Sequence, residues 1–232
     1  MIRSRLPSLR KLRGKPSRFK CIIFDMDGTL TETNQLIFDS FNYIAMKYKG
    51  KTYSPAEIVA MFGPPEEGAL LDVVGEEQID EAMKYYVAYY RKHHKALAKV
   101  YPGILELLRF LKRQKVRCAL FTGKGIHTTT ITMQAFALMP YFEYVVTGND
   151  VVNHKPAPEG IEKILQHFSL RKEEVLMVGD SVGDVKAARE AGVKIAVVLW
   201  DSYTKEKVLQ MKTDYAFNSV SDFALWIKGH VD

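Results

Sequence analysis

At 232 residues, 47% of them hydrophobic and 26% charged, the chain has the composition of a soluble globular protein and the length to bury a substantial core. No apolar run is long enough to span a bilayer, and no internal repeat stands out. The net charge of +6 collects in residues 1–20, which hold eight bases and no acid; taking those eight from the 33 Lys and Arg leaves 25 against 27 acids, so the rest of the chain sits at −2 and composition does not point to a nucleic-acid binder.

In chain order, the basic arm (residues 1–19) lacks the apolar core of a secretory signal. Its Arg/Ser content suggests a transit peptide or a surface-binding tail, or else a basic leader that packs loosely or meets a neighbouring molecule. A strand is expected from about Lys20 to Phe24, on the apolar run Cys21-Ile22-Ile23-Phe24. Leu36, Ile37, Phe41, Ile44 and Ala45 recur at helical spacing and predict a helix over 34–47, closed by Gly50. Ser54-Pro55-Ala56-Glu57 reads as an N-cap with proline at the first helical position, and Gly63-Pro64-Pro65 breaks the helix that follows. Further helices are expected over 66–74 and 76–98, which makes 34–100 all helical with no strand. Beyond Pro102 the pattern alternates. Strands are expected at 116–121, 144–146, 175–178, 194–199 and 215–217, with helices at 104–114, 127–138, 158–168, 182–191, 205–211 and 221–227. Such alternation implies a parallel sheet covered on both faces. The expected fold is therefore α/β, with a Rossmann-like parallel-sheet core from residues 20–33 and 101–232 and an inserted all-helical cap from 34–100.

Two cysteines, Cys21 and Cys118, lie in strand-like runs without metal-binding spacing, which fits a reducing cytoplasm. Each stands four residues ahead of a polar motif, so the thiols are expected buried, at one level on neighbouring strands.

The polar motifs fall at the expected carboxyl ends of strands, where open α/β sheets bind ligands. Asp25 and Asp27 follow the first strand, two residues apart, with Gly28 permitting a sharp turn. Two unpaired carboxylates so close raise one pKa or require a cation. Thr122 and Gly123 follow the second strand and offer a hydroxyl and an approachable backbone N–H to a phosphate. Lys155 sits in a proline-stiffened loop, His154-Lys155-Pro156-Ala157-Pro158, where a fixed cation could neutralise both a phosphate and an aspartate. Asp180 and Asp184 come in Gly179-Asp180-Ser181-Val182-Gly183-Asp184, where helix capping by Asp180 or Ser181 is the simpler alternative. With Asp25 and Asp27 nearby, three or four acids would converge, and Mg²⁺ prefers such hard oxygen ligands.

Taken together, Asp25-Met26-Asp27-Gly28-Thr29, Thr122-Gly123-Lys124, Lys155-Pro156-Ala157-Pro158-Glu159 and Gly179-Asp180-Ser181-Val182-Gly183-Asp184 resemble, in order, the four motifs of the haloacid dehalogenase-like (HAD) phosphohydrolases. The resemblance covers residues 20 to about 228, and the insertion is similar to the C1-type cap of that family. Thr33-Asn34-Gln35-Leu36, Gly63-Pro64-Pro65 and Tyr101-Pro102-Gly103 are most like the phosphoglycolate phosphatases and their pyrophosphatase relatives. The pattern departs at Glu32, where many relatives have Asp, and at Gly123, where many have Asn. Both departures bear on the substrate more than on the reaction.

The resemblance implies roles. Asp25 would attack phosphorus, and Asp27 would act as acid and then base. Mg²⁺ would be held by Asp25, Asp27 (through its backbone carbonyl) and Asp180, with Asp184 a direct or indirect partner. Thr122, Gly123 and Lys155 would bind the transferring phosphoryl group. In the cap, Gly63, Pro64 and Glu67 are expected to face the core and set specificity. The basic end of the long cap helix, Arg91-Lys92-His93-His94-Lys95, could meet a second anionic group or simply be solvated. The expected activity is hydrolysis of a small phosphorylated metabolite such as phosphoglycolate or pyrophosphate, with no nucleic-acid partner and the oligomeric state open. A phosphosugar mutase of the beta-phosphoglucomutase type and a non-catalytic binding domain are the alternatives.

Overall fold

Strands that read as unbroken apolar runs lie in the middle of the sheet, because a parallel strand is buried on both faces. The protein is represented by a computed structural model that describes residues 19–231, so nearly all of the basic arm lies outside the described residues. Strand β1 (Cys21–Phe24) and the two-residue β2 (Thr31–Glu32) lead into helices α1 (Asn34–Lys49), α2 (Pro55–Ala60), α3 (Glu66–Val74) and α4 (Ile79–Leu97). Strand β3 (Lys99–Val100) brings the chain back to α5 (Ile104–Arg113), β4 (Arg117–Phe121), α6 (Ile126–Ala135), β5 (Tyr144–Val146) and α7 (Glu159–Phe168). Then follow β6 (Val175–Gly179), α8 (Val182–Ala191), β7 (Lys194–Val198), α9 (Lys205–Leu209), β8 (Tyr215–Phe217) and α10 (Val220–Ile227).

Six strands form one parallel sheet in the order β5-β4-β1-β6-β7-β8. Strand β1 is central, and the chain fills the sheet outward from it in both directions. The ends of β4, β1 and β6 are thereby neighbours at the point where the strand order reverses, the usual ligand position in such sheets. Side chains alternate across the sheet: Ile22, Phe24, Leu120 and Val178 join one hydrophobic cluster, Ile23, Ala119, Phe121 and Met177 the other.

Helices α1 to α4 share a third cluster built on Phe41, Ile44, Leu70, Tyr86 and Tyr90, to which Ile131 of α6 contributes from the core. Ser54 caps α2 in a full capping box with Glu57, and Gly50 closes α1 in the left-handed conformation. Residues 34–100 are not free of strand: β3 pairs antiparallel with β2, Thr31 against Val100 and Glu32 against Lys99. Two residues give no periodicity to read, so this ribbon was invisible in the sequence. It joins the two chain crossings between sheet and helical insert, and the Glu32–Lys99 ion pair at 3.1 Å spans it.

The cysteines are both buried, but not at one level. Cys118 pairs with Ile22, and Cys21 with Arg117, one residue out of step. A one-residue offset changes face, and the two thiols enter opposite clusters. Among the described residues no helix is long and apolar enough to cross a membrane.

Candidate active site

The turn after β1 is fixed by backbone bonds. The Asp25 N–H donates to Val178 O at 2.9 Å, Leu30 N–H to Met26 O at 2.8 Å and Gly28 N–H to Thr31 O at 2.9 Å. Gly28 has φ +77°, and a Cβ there would lie 2.6 Å from Asp180 Oδ2, so both conformation and crowding require glycine. Asp25 and Asp27 thus stand on a tight turn beyond the strand.

Lys155 reaches this turn from the loop before α7. Its ammonium donates to Asp25 Oδ1 at 2.8 Å, Asp184 Oδ1 at 2.6 Å and Phe121 O at 2.7 Å, using all three protons, and lies 4.6 Å from the Phe121 ring centroid. Burial works against the charge, but Asp184 and Asp25 outweigh it and hold the Lys155 pKa above the usual lysine range. The other oxygen of Asp184 closes a capping box on α8, accepting from Ser181 N at 3.0 Å and Ser181 Oγ at 2.7 Å. Ser181 is therefore the cap, and Asp180 is left facing the cavity.

Ligand atoms of Asp25, Asp180 and Asp184 lie within 4.8 Å of one another. Burial pushes the Asp25 carboxyl up to about 7; Lys155 opposes the rise, and Asp184 and Asp27 add to it. Burial, then Asp25 and Asp184, push Asp180 well above the usual carboxylate range. Lys155 bonds Asp25 and Asp184 directly, whereas no described ion pair reaches Asp180. An under-neutralised buried carboxylate beside two others is a donor set suited to a hard divalent cation.

A second lysine serves Asp27. Lys124 Nζ lies 3.3 and 3.4 Å from the two Asp27 oxygens and 3.9 Å from Glu66, with the Tyr90 ring centroid at 4.6 Å. Burial disfavours its charge, yet Asp27, Tyr90, Glu66 and Tyr86 together raise its pKa well above the usual value. Thr33, at the start of α1, makes no capping bond to its own helix and donates its hydroxyl to Asp27. Glu66, the first residue of α3, accepts from Gly125 N at 2.6 Å and from the Thr128 hydroxyl, clasping the N-terminus of α6.

These groups border a cavity of about 300 Å³ between the sheet and the helical insert. Asp25, Asp27, Thr122, Gly123, Lys155 and Asp180 line it; Asp184 is fully buried behind them. Gly123 approaches the insert, and a Cβ there would be 3.5 Å from Gly63 O. Of the residues expected from the insert, Gly63 and Pro64 line the cavity, but Glu67 is exposed and Glu66 takes its place. Successive helical residues are 100° apart, so only one of the two glutamates can face inward. The apolar positions Ala69, Leu70 and Val73 of α3 put Glu66 on the buried face, a signal present in the sequence. Arg91, Lys92 and Lys95 are exposed and do not line the cavity, while His94 is buried against Thr132. Lys124 and Thr33 stood within motifs of the sequence, but their bonds to Asp27 were not legible there, and Tyr86 was not marked at all.

The profile of the haloacid dehalogenase-like hydrolases matches residues 22–198. The chain is 34% identical to the pyrophosphatase PpaX of Anoxybacillus flavithermus over 201 residues, covering 87% of this chain and 93% of that one. It is 33% identical to PpaX of Halalkalibacterium halodurans, with the same coverage. Among solved structures, a predicted phosphoglycolate phosphatase from Haemophilus somnus superposes with a TM-score of 0.79 at 24% identity, over 90% of this chain and 98% of that one. CbbY from Rhodobacter sphaeroides, in complex with xylulose-1,5-bisphosphate, gives 0.77 at 20% identity, over 92% and 100%. The two structural likenesses carry the fold; the profile and the curated relatives carry the family. With its motifs set on neighbouring strand ends of that fold, this chain belongs to the haloacid dehalogenase-like hydrolases, among their phosphatases.

Proposed function

We propose that the enzyme is a Mg²⁺-dependent phosphatase that hydrolyses a small phosphorylated metabolite through an aspartyl-phosphate on Asp25. The observation that carries this reading is the buried group of Asp25, Asp180 and Asp184 with Lys155 bonded to two of them, set under an insert-roofed cavity. Asp25 and Asp180, with the Asp27 backbone carbonyl, would hold Mg²⁺, and Asp184 would brace the set through Lys155. When bound, the ion would neutralise these acids and the phosphoryl oxygens.

Lys155 engages Asp25 Oδ1, so the second oxygen is the one left to attack phosphorus. Asp27 gives a proton to the leaving oxygen as the P–O bond to the leaving group breaks. It then takes one from the water that attacks the aspartyl-phosphate, and cleavage of that P–O bond returns the Asp25 carboxylate. Thr122 and Gly123 hold the phosphoryl oxygens, Lys155, its three protons taken by Asp25, Asp184 and Phe121 O, lends them its charge, and the helical insert acts as a cap that keeps out bulk water. The names of the relatives make pyrophosphate and phosphoglycolate the first substrates to try. Phosphate release from these and from 4-nitrophenyl phosphate, with Mg²⁺ and with excess chelator, tests the reading. Turnover should require the metal; full activity in chelator would contradict it.

A further inference from the structure

We propose that the cavity selects a phosphomonoester of a short alcohol whose leaving group carries no charge, and that Glu66 is the residue that keeps a second anionic group out. The inference rests on the phosphatase reading and departs from the substrates in the names of the relatives.

It starts from what the insert contributes. Of the insert residues that line the cavity, Glu66 alone is charged, and its charge is negative. Ile37, Phe41, Val59, Phe62 and Ala69 form an apolar wall around it. The bases at the end of α4 stay outside, so among the described residues no cation from the insert reaches the cavity.

The core offers no spare cation either. Lys155 is bonded to Asp25 and Asp184, and Lys124 is held between Asp27 and Glu66. The lining holds four acids, Asp25, Asp27, Glu66 and Asp180, against the two lysines. Asp184, bonded to Lys155 behind the lining, makes five acids against two lysines, so one divalent cation leaves the site negative even before the transferring phosphoryl group brings its own charge. A second phosphate or a carboxylate on the leaving group would meet Glu66 and a wall that is apolar or neutral, with no free cation to offset the repulsion of like charges in a partly desolvated site. Glu66 cannot easily swing away, because Gly125 N and the Thr128 hydroxyl hold both its oxygens.

What the lining does offer is neutral polar groups: Asn34, Ser181, Tyr203 and Thr204 border the cavity, and the Thr204 hydroxyl, like that of Tyr86, is buried without a partner among the described residues. Tyr86 lines the cavity, is 0% exposed, and its hydroxyl has no hydrogen-bond partner among the described residues. A buried hydroxyl without a partner is costly, so a hydroxyl or carbonyl on the leaving group would be bound as well as admitted there. The cavity, at about 300 Å³, is at the small end of ligand pockets, which limits the alcohol to a few carbons.

The test compares kcat/KM, with Mg²⁺, for 2-hydroxyethyl phosphate, phosphoglycolate and pyrophosphate, with 4-nitrophenyl phosphate as a generic ester. The first two differ only in a terminal CH₂OH against a carboxylate. The neutral ester should be favoured by about tenfold or more over phosphoglycolate, and also over pyrophosphate despite its better leaving group. A preference for either anionic probe, with 4-nitrophenyl phosphate turned over, overturns this inference and leaves the phosphatase reading standing. Phosphate release from none of the four overturns both. In Glu66→Gln the ratio of phosphoglycolate to 2-hydroxyethyl phosphate kcat/KM should rise about tenfold. An unchanged ratio in a variant that melts as the wild type does overturns the role of Glu66. The wild-type panel decides the substrate class even where that variant fails to fold.

Discussion

Two lysines in this enzyme do the same electrostatic job in different mechanical settings. Lys155 bridges Asp25 and Asp184 at 2.8 and 2.6 Å, with every partner supplied by the sheet core. Lys124 bridges Asp27 and Glu66 at 3.3 and 3.9 Å, with one partner in the core and one in the insert. Each ammonium lies 4.6 Å from an aromatic ring centroid, Phe121 and Tyr90 respectively. The first bridge is tight and anchored at the ends of β1 and β4 and on the first turn of α8; the second is looser and crosses the boundary between core and insert that the β2–β3 ribbon also spans. On the proposed mechanism that difference divides the labour: nucleophilic attack falls to the bridge held by the core, and proton transfer and selection to the bridge shared with the insert.

The largest effect should come from the core bridge. Asp25→Asn keeps the shape and an acceptor for Lys155 but removes the proposed nucleophile, and steady-state turnover should fall by ~10⁴-fold or more with an unchanged circular dichroism spectrum. Asp27→Asn removes the proposed proton carrier on the looser bridge and should cost ~10²–10⁴-fold in kcat. An equal loss in both variants would erase the proposed distinction between attack and proton transfer.

Stability sharpens the same contrast. Lys155→Ala leaves Asp25 and Asp184 buried side by side and should cost ~3–5 kcal/mol in a denaturant melt of the metal-free protein. Lys124→Ala should cost less, because the Asp27 side chain, at 18% exposure, can be rescued by water. A larger loss for Lys124→Ala would show that the insert contact, and not the core cluster, holds the site together.

The smallest predicted effect is in pH. Burial raises the Asp25 pKa to about 7, far above the value for an unfolded aspartate. A raised carboxyl pKa means the folded state binds the proton more tightly. Its contribution is therefore complete below about pH 4 and is lost as pH climbs through about 7. In chelator, Asp25→Asn should gain in melting temperature on the wild type between pH 5 and 8. A difference that stays constant over that range would mean the Asp25 carboxyl titrates as an ordinary one.

The core half of the site was legible in the sequence because its residues sit at strand ends, and strand ends are marked by where apolar runs stop. Asp25, Thr122 and Asp180 each follow such a run within a residue or two, and parallel topology brings β1, β4 and β6 together. The insert half was harder. Gly63 and Pro64 were legible as a helix break, but the choice between Glu66 and Glu67 depended on the phase of α3, which the two adjacent acids obscured. Lys124 looked like part of a phosphate loop, and its contact with Glu66 spans 58 positions of chain that local spacing does not connect. The cysteine register failed for a related reason. Counting back from Asp25 and Thr122 assumed that both motifs begin at one level, whereas the strands pair one residue out of step.

The central claim is a covalent phosphoryl group on Asp25. With 4-nitrophenyl phosphate, whose leaving oxygen needs no proton, Asp27→Asn should slow breakdown of that intermediate more than its formation and let it accumulate, so the direct measurement is acid quenching of this variant with the labelled ester and Mg²⁺, followed by peptide mass spectrometry. An added phosphoryl group is expected on the peptide carrying Asp25, surviving the cold acid quench, lost in mild base or hydroxylamine and absent from Asp25→Asn. Slow turnover by the variant with no label, or label on another residue, would contradict it.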